Sequence, residues 1–397
     1  MNFPAIAIMA VLASAPAFAQ GEIHTPQEAV MLNSANPQRG YQDLMVHTIV
    51  VDPGSQAGLE FLGVRLRAED ADGSWIEREI PAARAVAESV ELAGMASAGL
   101  GVFLDAQLLD RTGLAGLAGH ELVLADSASL RPGEGLMMTR IHMSMNFEPV
   151  RLVIDASFRD RMSVIHTARR TLPVRGYRSG VRYTAPLQGD WLMTSLPSLS
   201  SHHRFNPSTE FALDFFRPGA DGRGRLRDGD PYDASNFLGY GEPVRAAAPG
   251  TVVRVIADVV QDRFAMSQQP GESEEEAGRR IQRYNMEHYV QDLERGSAGN
   301  LVVIRHESEA GPEFSAYGHL AAGSVQVAIG EHVRRGQVIA TVGDTGDSDA
   351  VHLHFQINRS ADVFFSESLP VEIDDIQPAM PGVDPGRFVR MGTSPGQ

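Results

Sequence analysis

One seven-residue stretch near the C-terminus, Val351-His352-Leu353-His354-Phe355-Gln356-Ile357, restricts the fold more than any other part of the chain. On a β-strand, residues two apart share a face, so His352 and His354 point the same way. Leu353, Phe355 and Ile357 take the opposite face, which is wholly apolar and belongs against a core. Two adjacent imidazoles backed by such a face are what a metal site on a rigid sheet requires. Taken alone, His-x-His is a weak signal.

Its context strengthens it. Upstream lies Tyr317-Gly318-His319-Leu320, another histidine in a strand-like segment. Further upstream come Ser201-His202-His203-Arg204 and then Phe211-Ala212-Leu213-Asp214-Phe215. Asp214 is a carboxylate flanked by apolar residues, which is costly unless it is paired or coordinates a cation. The chain has no cysteine, so disulfides and thiolate metal sites are excluded and any metal must be held by His, Asp or Glu. Histidine and aspartate supply neutral and anionic donors that suit zinc, and three protein ligands leave a fourth position for water.

The order His203…Asp214…Tyr317-Gly318-His319-Leu320…His352-Leu353-His354-Phe355 resembles that of the lysostaphin/LytM (M23) zinc metallopeptidases. The scaffold between is similar too: Gly241 to Ala246, Gly250-Thr251-Val252, Val325 to Ile339, and Gly343 to Ser348. The resemblance covers residues 200–370 and implies an antiparallel β peptidase domain. It implies His203, Asp214 and His354 as ligands of Zn2+, with His319 and His352 as the catalytic pair that activates water and steadies the tetrahedral intermediate. Two features depart from the family pattern. The first ligand histidine normally stands four residues before the aspartate, whereas His203 stands eleven before Asp214. This leaves His202 as an alternative ligand. The second is an insertion at 259–299, where the family has a short turn.

Around this domain, 397 residues with 43% hydrophobic and 21% charged content describe a folded two-domain chain. Residues 1–19 are apolar and end in Ala17-Phe18-Ala19, a small-x-small pattern that reads as an export signal, which points to a periplasmic or extracellular protein. No later run approaches bilayer-spanning length on this reading, so the exported chain is expected not to span a membrane. Residues 20–41 have no clear period and read as a lead-in, with His24 and Asn33 as the only candidate donors for an inhibitory contact to the metal. Residues 42–185 alternate as strands, Leu44 to Val51 apolar on both faces and Ile141 to Phe147 on one. This suggests an immunoglobulin-like β-sandwich, so the fold class expected is all-β. Pro81 to Ala93 has helical spacing within it. Its histidines, His47, His120, His142 and His166, read as ordinary strand or loop residues. The peptidase domain occupies 190–373 and the tail 374–397 reads as irregular. Within the insertion, Glu272 to Arg295 is rich in helix formers with mixed charge: a solvated helical excursion, or a lid beside the groove.

The formal charge of −16 argues against nucleic acid as a partner. All 34 basic residues are arginine. This removes a rival reading, because Val244-Arg245-Ala246 to Val255 and Ile329 to Gly343 have the cadence of lipoyl- and biotinyl-carrier modules, which need a lysine for their cofactor. The partners expected are peptidoglycan stem or cross-link peptides. Alternatives are an exported protein substrate, or a cell-wall hydrolase that a catalytically silent relative would regulate.

Overall fold

The computed structural model describes residues 21–36, 41–54, 58–194, 201–218, 230, 232–348, 350–370, 372–378 and 388–391. The expected export signal at 1–19 lies outside them. The chain is mostly β, in two large sheets. The first runs Trp75–Pro81, Leu59–Glu69, Arg151–Arg159, Ile165–Arg175, Val30–Asn36, Tyr41–Asp52, Glu134–Met145 and Val123–Leu124. Most of its neighbours are antiparallel; Ile165–Arg175 runs parallel to Val30–Asn36, and Val123–Leu124 parallel to Glu134–Met145. Alternation drives this sheet. Ile141, Met143 and Met145 are buried and join Leu66, Ile154 and Phe158 in one core.

The segment expected as a lead-in carries two strands, Glu22–His24 and Val30–Asn36. Three-residue and irregular stretches have no period of their own; they are strands because Tyr41–Asp52 offers them edge groups to pair with. The tail is corrected likewise: Ile376–Pro378 and Phe388–Met391 extend the second sheet. His24, expected as a candidate donor to the metal, instead bonds Asp52 at 2.7 Å; the side chain of Asn33 lies outside the described residues.

Between Trp75–Pro81 and Val123–Leu124 the first sheet gives off a helical arm. Helix Ala82–Met95, started by Pro81, continues through a π turn kinked at Gly99 into Gly101–Gln107, with Gly113–Ala118 behind it. Ala82–Gln107 is the one helix among the described residues long and apolar enough to cross a membrane by length and composition. Arg84, Glu88 and Glu91 break up that apolar run when it is read along the sequence.

The second sheet is antiparallel throughout: His332–Val333, Gly250–Ile256, Asn300–His306, Glu313–Leu320, Leu353–Asn358, Leu213–Phe216, Gly189–Met193, Phe388–Met391 and Ile376–Pro378. Leu353, Phe355 and Ile357 are at most 1% exposed, which is the apolar face the alternation predicts. The insertion forms helix Glu274–Gln291 and the short Leu293–Ala298. Ser273 and Glu276 make a reciprocal capping box at the start of the first.

The two halves share a buried polar seam. Met31 from the first sheet packs into the core of the second. Arg204, wholly buried, pairs with Asp43 and with Glu210, and His47 bonds Glu210 at 2.6 Å.

Candidate metal centre

The strand Leu353–Asn358 sits in mid-sheet, flanked by Leu213–Phe216 and Glu313–Leu320. The register puts Asp214 directly opposite His354, and Gly318 opposite His354 on the other side. Cross-strand partners have Cβ atoms about 5 Å apart, so residues far apart in the chain become neighbours through pairing alone. His203 comes from outside the sheet, on the 3-10 turn His202–Phe205.

The two oxygens of Asp214 are divided between two imidazoles. Oδ2 lies 2.9 Å from His203 Nε2 and Oδ1 lies 3.0 Å from His354 Nδ1. His352 Nε2 is 3.8 Å from Oδ1. The His319 ring centroid is 4.5 Å from that of His352 and 5.9 Å from that of His354. All five residues singled out in the sequence therefore line one cavity of about 550 Å³. His202 lines it as well, and the donor atoms of His202, His203 and Asp214 all fall within 4.8 Å of one another. The alternative to His203 thus stands beside it, their rings 3.9 Å apart, but His202 is exposed where His203 is buried.

The rings of His319, His352 and His354 are each oriented by a further partner. His319 Nδ1 is 2.8 Å from the Thr345 carbonyl and His352 Nδ1 is 2.8 Å from that of Ala350. A carbonyl only accepts, so each Nδ1 carries the proton and each Nε2 keeps a lone pair. His354 has the other tautomer. Its Nε2 donates to Gln356 Oε1 at 2.6 Å, because the Gln356 amide nitrogen is already donating to Ser208 and Asn358. That leaves Nδ1 of the neutral His354 ring with a lone pair, facing Asp214. Phe216 stacks on His352 at 4.6 Å. His319 has φ of 56°, a left-handed conformation that a non-glycine residue holds only where its surroundings over-determine it.

Burial governs the charges. It pushes His203 down to about 4, more than the nearby Asp214 carboxylate can offset. It pushes His319 well below the usual imidazole range, helped by the neighbouring His352 and His354. At Asp214 burial acts upward but is outweighed by His203 and His354, and the carboxylate is held well below its ordinary value. At His354 burial acts downward and the hydrogen bond and charge of Asp214 outweigh it, so the ring is raised. The result is a buried carboxylate anion between imidazole nitrogens, a donor set that a divalent cation would neutralise.

Several residues around the site escaped the sequence reading. Gln356 and the Thr345 carbonyl orient rings, and Tyr289, Ser297 and Ala298 of the insertion form part of the cavity wall. Asp43 and Glu210 pair with Arg204 of the His202–Phe205 turn, and His47 bonds Glu210. The available signals were Arg204 next to His203, and a histidine inside a strand apolar on both faces.

A family model described as Peptidase family M23 matches residues 288–365. The match includes His319, His352 and His354, while His203 and Asp214 lie upstream of it. Among solved structures, the catalytic domain of the prophage-encoded M23 protein EnpA from Enterococcus faecalis is 16% identical, with 45% of this chain and 88% of that chain covered and a TM-score of 0.25. The catalytic domain of lysostaphin from Staphylococcus simulans is 18% identical, covering 46% of this chain and 88% of that one, TM-score 0.24. A zinc containing peptidase from Vibrio cholerae is 15% identical over 84% of this chain and 82% of its own, TM-score 0.26. No curated protein matches. The resemblance drawn from the histidine motifs is thereby met by a family match: the C-terminal half of the chain carries a Peptidase family M23 domain at 288–365.

Proposed function

We propose that this chain is an exported zinc metalloendopeptidase that hydrolyses peptide bonds in peptidoglycan stem or cross-link peptides. The observation that carries the reading is Asp214 held between His203 Nε2 and His354 Nδ1, next to the His319–His352 pair. His203, Asp214 and His354 would hold the ion. When bound, zinc lowers the pKa of a coordinated water towards about 7 and polarises a carbonyl.

The chain's own residues supply the rest. His319 and His352 are each fixed through Nδ1, so each offers Nε2 to accept a proton from water or, once protonated, to donate to an oxyanion. Burial keeps His319 unprotonated at neutral pH, which suits it to the accepting role. The insertion lines the cavity through Tyr289 and Ala298, and Val363 and Phe364 line it as well. A peptide lying in that cavity would have its scissile carbonyl beside Asp214 and both imidazoles. The M23 match supports the peptide substrate, and Ala17-Phe18-Ala19 supports export.

The test is to incubate the purified chain lacking residues 1–19 with defined muropeptides, with and without a chelator, and to read products by mass. Chelator-sensitive cleavage of a stem or cross-link peptide is expected. Cleavage confined to unfolded protein would move the substrate to an exported protein; the absence of any chelator-sensitive cleavage would overturn the enzyme reading.

A further inference from the structure

The insertion 259–299 reaches the site by a second route, besides the cavity wall. Four consecutive residues of the segment 343–348 are each held by it or by Asn300, the residue that follows it. Asp344 pairs with Arg263 at 3.0 Å; both are buried, and the guanidinium lies 4.0 Å over the Phe237 ring. Thr345 Oγ1 accepts from the Asn300 amide at 2.8 Å and donates to the Leu320 carbonyl. Gly346 is gripped on both its backbone groups by one side chain: its N–H donates to Gln261 Oε1 at 3.1 Å, and Gln261 Nε2 donates to its carbonyl at 3.0 Å. The Asp347 amide donates to the Ser297 carbonyl at 3.0 Å, and its carboxylate accepts from Tyr289 and Asn285.

The backbones meet without side chains between them. A Cβ on Gly299 would lie 2.3 Å from the Thr345 carbonyl carbon, and one on Gly346 would lie 2.4 Å from Gly299 N. Gly299 has φ of 63° and Gly346 of 84°, so two glycines are needed both for conformation and for approach. In the middle of this clamped segment stands Thr345, whose carbonyl is the acceptor for His319 Nδ1.

We propose that the insertion is a brace for the catalytic histidine and that Gln261 is a positioning residue acting through Thr345 and His319. The inference rests on the reading of His319 as catalytic. Gln261 holds Gly346 from the side opposite His319. Removing its amide frees the peptide between Thr345 and Gly346 to rotate, which moves the Thr345 carbonyl off Nδ1 and lets the ring turn. Misplacing a reacting group by about 1 Å costs on the order of a hundredfold in rate. Gln261 touches neither Asp214 nor the histidines, so metal binding is left alone.

The experiment uses the full chain without residues 1–19 carrying Gln261→Ala, alone and combined with His319→Ala. Gln261 is only half-buried, so the single variant is expected to fold. Expected is a kcat lowered roughly ten- to hundredfold with KM within about threefold and zinc content unchanged. In the His319→Ala background the second change should cost nothing further, because its route to the chemistry is gone. Full kcat in Gln261→Ala, or an undiminished additional loss on top of His319→Ala, overturns the brace. A second readout needs no turnover. In protein labelled with nitrogen-15 at histidine, the His319 Nδ1 proton should resonate downfield and exchange slowly, and Gln261→Ala should speed that exchange at least tenfold, on the order expected for loss of one buried hydrogen bond. If the parent protein cleaves no peptide, the proposed function fails and this signal alone decides: accelerated exchange upholds the brace, unchanged exchange refutes it.

Discussion

Asp43→Ala is the perturbation that best isolates what the N-terminal half does for the site. Arg204 follows His203 on the same turn and is 0% exposed, and Asp43 from strand Tyr41–Asp52 is one of its two carboxylate partners. A guanidinium does not shed its proton, so it must be paired where it is buried. At contact distance a unit-charge pair is worth about 4 kcal/mol with an effective dielectric of 20. Breaking a buried pair while leaving one charge behind costs roughly 3–5 kcal/mol. Glu210 remains on Arg204, so the expected loss is about 2–4 kcal/mol. For a domain of this size each kcal/mol moves Tm by about 2–4 °C, which gives a fall of roughly 5–15 °C by calorimetry. The combined variant Asp43→Ala/Arg204→Met/Glu210→Gln removes the stranded charge without leaving Glu210 as an unpaired anion, and the glutamine keeps an acceptor for His47. It should recover more than half of the loss. A single-variant shift under about 2 °C, below 1 kcal/mol on that scale, would refute the claim that Asp43 compensates Arg204. A combined variant as unstable as the single would show that the loss comes from packing and not from charge.

Three further outcomes follow from the same geometry. His203→Ala should remove stoichiometric zinc, whereas His202→Ala, the exposed neighbour, should retain most of it; metal analysis after dialysis decides, and the reverse result would exchange their roles. His319→Ala and His352→Ala should each lower kcat by about 10²–10⁴ with zinc retained, and a variant of either kind at full activity would remove that residue from the mechanism. His47 is pushed down to about 3, by burial and by the Arg204 charge, against 6.5 for a free imidazole. Its folded form therefore binds fewer protons than the unfolded chain, so its contribution is complete above about pH 6.5 and is lost as pH falls towards 3. Denaturant midpoints measured between those limits should fall less steeply in His47→Gln; an unchanged slope would mean that His47 is already charged in the folded state.

How much of this was legible depended on whether the signal was local. The strand Leu353–Asn358 could be read because alternation is a property of neighbouring residues, and the insertion helix because Glu272 to Arg295 is locally rich in helix formers. The order of the five site residues was legible because it survives the long loop between His203 and Asp214. Register was not. Nothing in the sequence puts Asp214 opposite His354, and that pairing is what turns scattered donors into one centre. Short strands such as Glu22–His24 were missed for the same reason: their hydrogen bonds are made with partners remote in the chain.

The non-local part is also where the two unexplained regions of the sequence find their place. Strand Tyr41–Asp52 reads as a core strand, yet it sends Asp43 and His47 towards Arg204 and Glu210, the first of them on the turn that carries His203. Glu272 to Arg295 reads as a solvated excursion or a lid, and on either side of it Gln261, Arg263 and Ser297 hold the segment that orients His319. The first element supports the turn that carries a candidate metal ligand and the second the segment that orients a candidate base. Rigid support of this kind is what a site needs when its chemistry tolerates errors of only about half an ångström. A fragment beginning at residue 176 would keep Tyr183, Ala185 and Leu187 in the core together with all five side chains, and lose the carboxylate that Asp43 gives to Arg204. Such a fragment should therefore bind zinc more weakly than the whole chain, although no ligand has been removed.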